Sequence, residues 1–233
     1  IHDCVDRVKC LFEVASEITS NINLALITGD FGEKDETLEE VSKILRTNGL
    51  MGVAIYGNHE PESIRRLSKE KSVCLIEGIR LLPLGVRYNI DNINILGISG
   101  NRGSGRKWSH WRDSQILEII ERHRGEKIDI VLSHEMPHGL ADTCRGKNCG
   151  QFVLRRLIEE LNPRIFLGGH LHTYPQLAIH GRTVVLKVGG ISNRGPLKNL
   201  SFFAVIDISI GLKIVSYMLN IEKKELDIVL KHE

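Results

Sequence analysis

Apolar side chains return every three or four positions at the start of the chain, at Val5, Val8, Leu11, Phe12, Ala15 and Ile18. That spacing predicts an amphipathic helix over about residues 4–20. The pattern then changes. Asn23-Leu24-Ala25-Leu26-Ile27 is a short unbroken apolar run of the kind found in strands buried on both faces. Helical spacing resumes at Leu38, Val41, Ile44 and Leu45, and Asn48-Gly49 closes that segment. Residues 52–56 read as a second buried strand, after which Pro61 suits the first turn of a helix carrying Ile64 and Leu67. Two further strands are predicted at 128–132 and 164–167. A helix with Val153, Leu154, Leu157, Ile158 and Leu161 precedes the second of these, and Asn162-Pro163 stops it.

Alternating β and α segments predict an α/β fold with a parallel sheet and helices outside it. Elsewhere the pattern changes to hairpins, one over 84–99 about Asp91-Asn92 and one over 176–188 about His180-Gly181. The last strands are expected at 202–208 and 213–219. No internal repeat, low-complexity tract or linker interrupts the 233 residues, so 1–233 reads as a single domain.

Composition narrows the function classes. A formal net charge of +2 argues against bulk binding to nucleic acid or to an anionic membrane. No stretch approaches the roughly 20 apolar residues of a membrane span. Five cysteines at irregular spacings suit a reducing cytoplasm, with Cys144 and Cys149 able to close a small loop disulfide instead.

The candidate chemistry lies where the apolar runs end. Gly29-Asp30, Gly57-Asn58-His59-Glu60, Ser133-His134 and Gly169-His170-Leu171-His172 each follow such a run, and His2 precedes the first helix. In parallel sheets, ligands bind at the carboxyl ends of strands. One Asp, one Asn and several His in those places suit divalent cations that accept oxygen and imidazole donors. A shared carboxylate can hold two such cations about 3.5–4 Å apart.

In this order, those motifs resemble the calcineurin-like metallophosphoesterases, whose pattern is D-x-H, G-D, G-N-H-[DE], a lone His and G-H-x-H. The resemblance covers residues 2 to about 172. It implies a four-layer α/β/β/α sandwich of two mixed sheets with outer helices. It also implies a dinuclear metal-dependent phosphoric ester hydrolase, a phosphodiesterase or phosphatase in which a metal-bound hydroxide attacks phosphorus. The implied metal ligands are His2, Asp30, Asn58, His134, His170 and His172, with Asp30 bridging two divalent ions. Manganese is expected first, with iron, zinc, nickel, cobalt or magnesium as alternatives. His59 would stabilise the transferring group and protonate the leaving oxygen, a task suited to an imidazole. Glu60 would orient a nearby imidazole. Arg102, in a basic loop with Arg106, Lys107 and Trp108, is a candidate substrate contact. The substrate would be a small phosphoester, a nucleotide among the options. The segments around Asp30, Asn58 and His134 look most like the branch containing brain-expressed metallophosphodiesterases.

The chain departs from the family at its first motif. The Asp expected two residues before His2 would precede Ile1, as would the strand leading into it, so the native product is expected to extend upstream. Without that strand two neighbours would have unpaired edges, and the first metal site would be weak. Asp3 would point away from His2 and makes a poor substitute. Rival readings fit less well. Gly100–Lys107 nearly matches a phosphate-binding P-loop but has Arg106 where Lys is required. A metal-dependent amidohydrolase would carry its H-x-H early in the chain. The non-enzyme alternative is a scaffold that keeps the fold without the chemistry, as in the similar retromer subunit.

Overall fold

The computed structural model describes residues 1–19, 22–191, 197–209, 211–223 and 225–233. Among the described residues five helices form: α1 (Val5–Ile18), α2 (Asp35–Thr47), α3 (Glu62–Leu67), α4 (Asp113–His123) and α5 (Phe152–Leu161). The helix expected over 4–20 is thus α1; residue 20 lies outside the described residues. One sheet contains β1 (Leu24–Ile27), β2 (Met51–Ala54), β3 (Cys74–Ile76) and β4 (Ile79–Leu81), in the order β1-β2-β4-β3. A second contains β5 (Arg87–Ile90), β6 (Ile93–Ile98), β7 (Ile130–Ser133), β8 (Ile165–Gly168), β9 (Gln176–His180) and β10 (Thr183–Lys187). Its order is β9-β10-β8-β7-β6-β5. β11 (Leu200–Asp207), β12 (Lys213–Asn220) and β13 (Glu225–His232) make a third, antiparallel sheet.

Period-two alternation explains the layering. On β7, Ile130 and Leu132 join the core between the two large sheets, whereas Val131 points into the core under α4 and α5. β8 divides the same way, with Ile165 and Leu167 between the sheets and Phe166 beneath the helices. On β2, Val53 faces the inter-sheet core and Ala54 the core under α1 and α2. Such strands must be apolar on both faces, so their sequences are continuous apolar runs. The result is helices, sheet, sheet, helices, and both large sheets contain parallel and antiparallel neighbours.

Both expected hairpins form. Asp91 and Asn92, each at positive φ, link β5 to β6, and β9 and β10 turn at Gly181-Arg182. Among the elements not read from the sequence are the short strands β3 and β4, helix α4, buried through Ile116, Ile119 and Ile120, and β13. Near Gly100 only two-residue strands form, Asn101–Arg102 against His110–Trp111, with no helix before α4. A P-loop needs a helix directly after its glycines, so that reading is set aside. Cys144 and Cys149 are free thiols.

β1 stands at the edge of its sheet and β11 at the edge of the third. Both line one cavity of about 1140 Å³ that is walled by Leu11 and Phe12 of α1 and by Leu167.

Candidate metal centre

Four strand ends deliver the site, two from each large sheet. Asp30 follows β1, Asn58 follows β2, His134 directly follows β7, and His170 and His172 follow β8. His2 arrives on a segment that runs beside residues 30 and 31, where its N–H donates to the Asp30 carbonyl at 2.9 Å and that of Asp3 to the Phe31 carbonyl at 3.0 Å. Six candidate ligands, from His2 to His172, therefore converge.

Asp30 is the centre of the cluster. Its Oδ2 lies 3.4 Å from His2 Nε2, and its Oδ1 lies 3.5 Å from His134 Nε2. Two donor groups result, His2–Asp30–His172 and Asp30–His134–His170, each with its ligand atoms within 4.8 Å of one another. Nitrogen faces nitrogen in both. His2 Nε2 is 3.0 Å from His172 Nε2, and His134 Nε2 is 3.1 Å from His170 Nδ1. Asn58 joins the second group through Oδ1, 3.2 Å from His134 Nε2. The other nitrogen of His134, Nδ1, is 2.8 Å from the Thr28 carbonyl. A carbonyl only accepts, so Nδ1 carries the proton and the Nε2 lone pair faces the cluster. Facing lone pairs around a carboxylate fit divalent cations and have little other use.

The local backbone conforms to that requirement. His2, Asp30 and His170 have φ of 52°, 57° and 61°, a left-handed conformation uncommon outside glycine and concentrated at functional sites. Gly57 must lack a side chain, because a Cβ there would sit 2.1 Å from Asp30 Oδ1 and 2.5 Å from His134 Cε1.

Electrostatics prepare the donors. Burial would raise the Asp30 carboxyl, but His134 and the His59 N–H outweigh it and bring it down to about 2. Oδ1 accepts the N–H groups of Asn58 at 2.8 Å and His59 at 2.9 Å. Burial lowers His2 to about 3 and His170 to about 4, the latter assisted by His134. His172 is lowered too, chiefly by burial. Neutral imidazoles are the form that binds metal.

Two roles expected from the sequence are corrected. Glu60 contacts no imidazole; its carboxyl accepts the N–H groups of Asp30 (2.6 Å), Gly57 (2.6 Å) and Phe31 (2.9 Å). Fully buried, it satisfies backbone donors that the turns at 29–31 and 57 leave without partners. Burial and the Asp30 charge push it up to about 8 against those donors. The partner of His59 is Glu33, with Oε1 3.1 Å from Nδ1. Nothing in the spacing of residues 33 and 59 announces that contact. Arg102, the candidate substrate contact, is engaged in a two-pronged ion pair with Asp113, at 2.6 and 3.0 Å. Asp3 turns away from the site and accepts from Thr37 Oγ1 at 2.6 Å, in line with expectation.

Comparison with known proteins supplies the family context. The profile of the calcineurin-like phosphoesterase family matches residues 1–174. No curated protein matches the sequence. Among solved structures, TT1561 of Thermus thermophilus superposes with a TM-score of 0.61 at 13% identity, over 97% of this chain and 93% of that one. GAP50, described as the anchor in the inner membrane complex of Plasmodium, superposes with a TM-score of 0.53 at 11% identity, over 99% of this chain and 84% of that one. At such identities the likeness is one of fold.

The histidine environment predicts a pH signature in the metal-free protein. Unfolded imidazoles take up protons near pH 6.5, whereas folded His2 and His170 resist until about pH 3 to 4. At these two side chains the unfolded state binds more protons in that window, so their contribution to stability falls as pH drops from 6.5 towards 4, while that of Glu60, raised to about 8, runs the other way. Compared at each pH, the urea midpoint of wild type should lose ground to that of His170→Asn as pH falls through this range.

Proposed function

Since the chain belongs to the calcineurin-like phosphoesterase family, we propose that it hydrolyses a small phosphoester at this centre. A phosphodiester such as a cyclic nucleotide is the first choice of substrate, and a phosphomonoester the second. The observation that carries the reading is the division of Asp30, with one oxygen toward His2 and the other toward His134. When bound, two divalent cations, manganese first, supply an acidified water and neutralise charge on the phosphoryl oxygens. His2, Asp30 and His172 would hold one, and Asp30, Asn58, His134 and His170 the other.

The chain's own residues do the rest. Glu33 accepts the Nδ1–H of His59, and when the ring carries its second proton, on Nε2, that proton is the one free to pass to the leaving oxygen. The His59 ring lies 5.5 Å from that of His2, within reach of a group seated on the cluster. Arg102 would have to release Asp113 to reach a phosphate and is left out of the reading. A cytoplasmic location goes with the free cysteines, and no helix among the described residues is long and apolar enough to cross a membrane.

The second reading is a scaffold. The anchor description of GAP50 favours it, since a similar fold there is described by what it holds. Against it stands the paired Glu33–His59 arrangement, which an inert scaffold would not need.

The test is turnover of a panel of phosphodiesters and phosphomonoesters by manganese-loaded protein, with metal content measured alongside. Asp30→Asn should release both cations. His59→Ala should keep them and lower kcat by about 10²-fold or more, the usual contribution of a general acid. A chain that holds two cations and hydrolyses nothing would favour the scaffold.

The two groups should also fill unequally. Asp30, Asn58, His134 and His170 form the more buried group, whereas His2 and His172 stand half-open. Titration with manganese should show a tighter and a weaker step. His172→Ala should remove only the weaker one, and loss of the tighter step instead would reverse the assignment.

A further inference from the structure

Arg65, on α3, lies outside the metal cluster, yet it makes three contacts that converge on the setting of His59. Its Nη2 donates to Glu33 Oε2, while Glu33 Oε1 meets His59 Nδ1. Its Nε donates to the Glu60 carbonyl at 2.7 Å, one residue beyond His59. Its guanidinium carbon sits 5.6 Å from the ring centre of Trp108, over the indole. Trp108 is held in turn by Tyr56, ring to ring at 5.7 Å, and the Tyr56 hydroxyl donates to the Ser68 carbonyl just past α3.

These contacts differ from an ordinary surface ion pair in geometry. A lone Glu33–His59 contact between half-exposed side chains would have many rotamers and would be worth little. A planar guanidinium that grips both a carboxylate and a backbone carbonyl, and lies on an aromatic ring, has few alternatives. Glu33 then has one oxygen fixed by Arg65, and the other can only face the imidazole.

We propose that Arg65, seated on Trp108, is the positioning residue for His59, acting through Glu33. The loop that carries Trp108 thereby sets the orientation of the His59 imidazole at two removes, and Nε2 is presented to the leaving group in one pose. This rests on the reading of His59 as the proton donor. The arrangement predicts that a lysine cannot replace Arg65, since a single ammonium does not span the Glu33 carboxylate and the Glu60 carbonyl in one plane.

The experiment compares wild type with Arg65→Met, Arg65→Lys, Trp108→Ala and Trp108→Phe, all manganese-loaded and checked for fold by circular dichroism. In kinetics, Arg65→Met and Trp108→Ala should lower kcat by about tenfold, part of the general-acid contribution, and leave KM within about twofold. The loss should be larger for a poor alkoxide leaving group than for p-nitrophenolate, which needs little protonation. Trp108→Phe should recover most of it, and Arg65→Lys should not. Independently of turnover, 15N spectra of the His59 ring in zinc-loaded protein, assigned by its absence in His59→Ala, should show one ring environment with Nδ1 protonated in wild type. Arg65→Met should shift or broaden it. An unchanged His59 ring in Arg65→Met and Trp108→Ala would overturn the proposal whatever the activity. A shifted ring in a protein that turns over no phosphoester would keep the positioning role and reject the hydrolase reading.

Discussion

Asp30 must direct both carboxylate oxygens outward at once, toward two different sets of imidazoles, and much of the surrounding chain exists to permit it. The residue is left-handed, the glycine across from it has no room for a side chain, and two backbone N–H groups hold Oδ1 in place. Beneath it, the buried Glu60 carboxyl gathers three more N–H groups that the turns leave unpaired. Each accommodation is unfavourable or neutral by itself. Together they fix a carboxylate that stays ionised in a buried place.

Much of this organisation was legible in the chain. The continuous apolar runs ending at Ile27, Leu132 and Leu167 announced strands buried on both faces, and the ligands stand directly beyond them. What escaped was of two kinds. α4 and β13 had their own periodicity, at Ile116, Ile119 and Ile120 and at Leu226, Ile228 and Leu230, but among many charges. Glu60 gave up its expected role to Glu33 for a different reason. Adjacency to His59 made Glu60 the natural orienter, yet its carboxyl is claimed by backbone donors, and Glu33 reaches the imidazole across 26 positions of sequence. Which carboxylate meets which donor depends on turns whose shape no local pattern encodes.

Arg102 illustrates the same limit on the substrate side. A basic residue in a glycine-rich loop reads as a free cation, but Asp113 at the start of α4 lies on the adjoining segment and neutralises it. The sequence places both residues in view; only the fold shows that they are partners.

The ligands belong to strands of two different sheets, with Asp30 and Asn58 on one and His134, His170 and His172 on the other. Between those sheets lies a layer of buried Val, Ile and Leu side chains, which resists separation far better than it resists sliding. A pair of ions bound across the seam would act as a rivet at one end of it. Shear between the layers would then have to break coordination bonds, so metal content would also govern how stiffly the two halves move against each other.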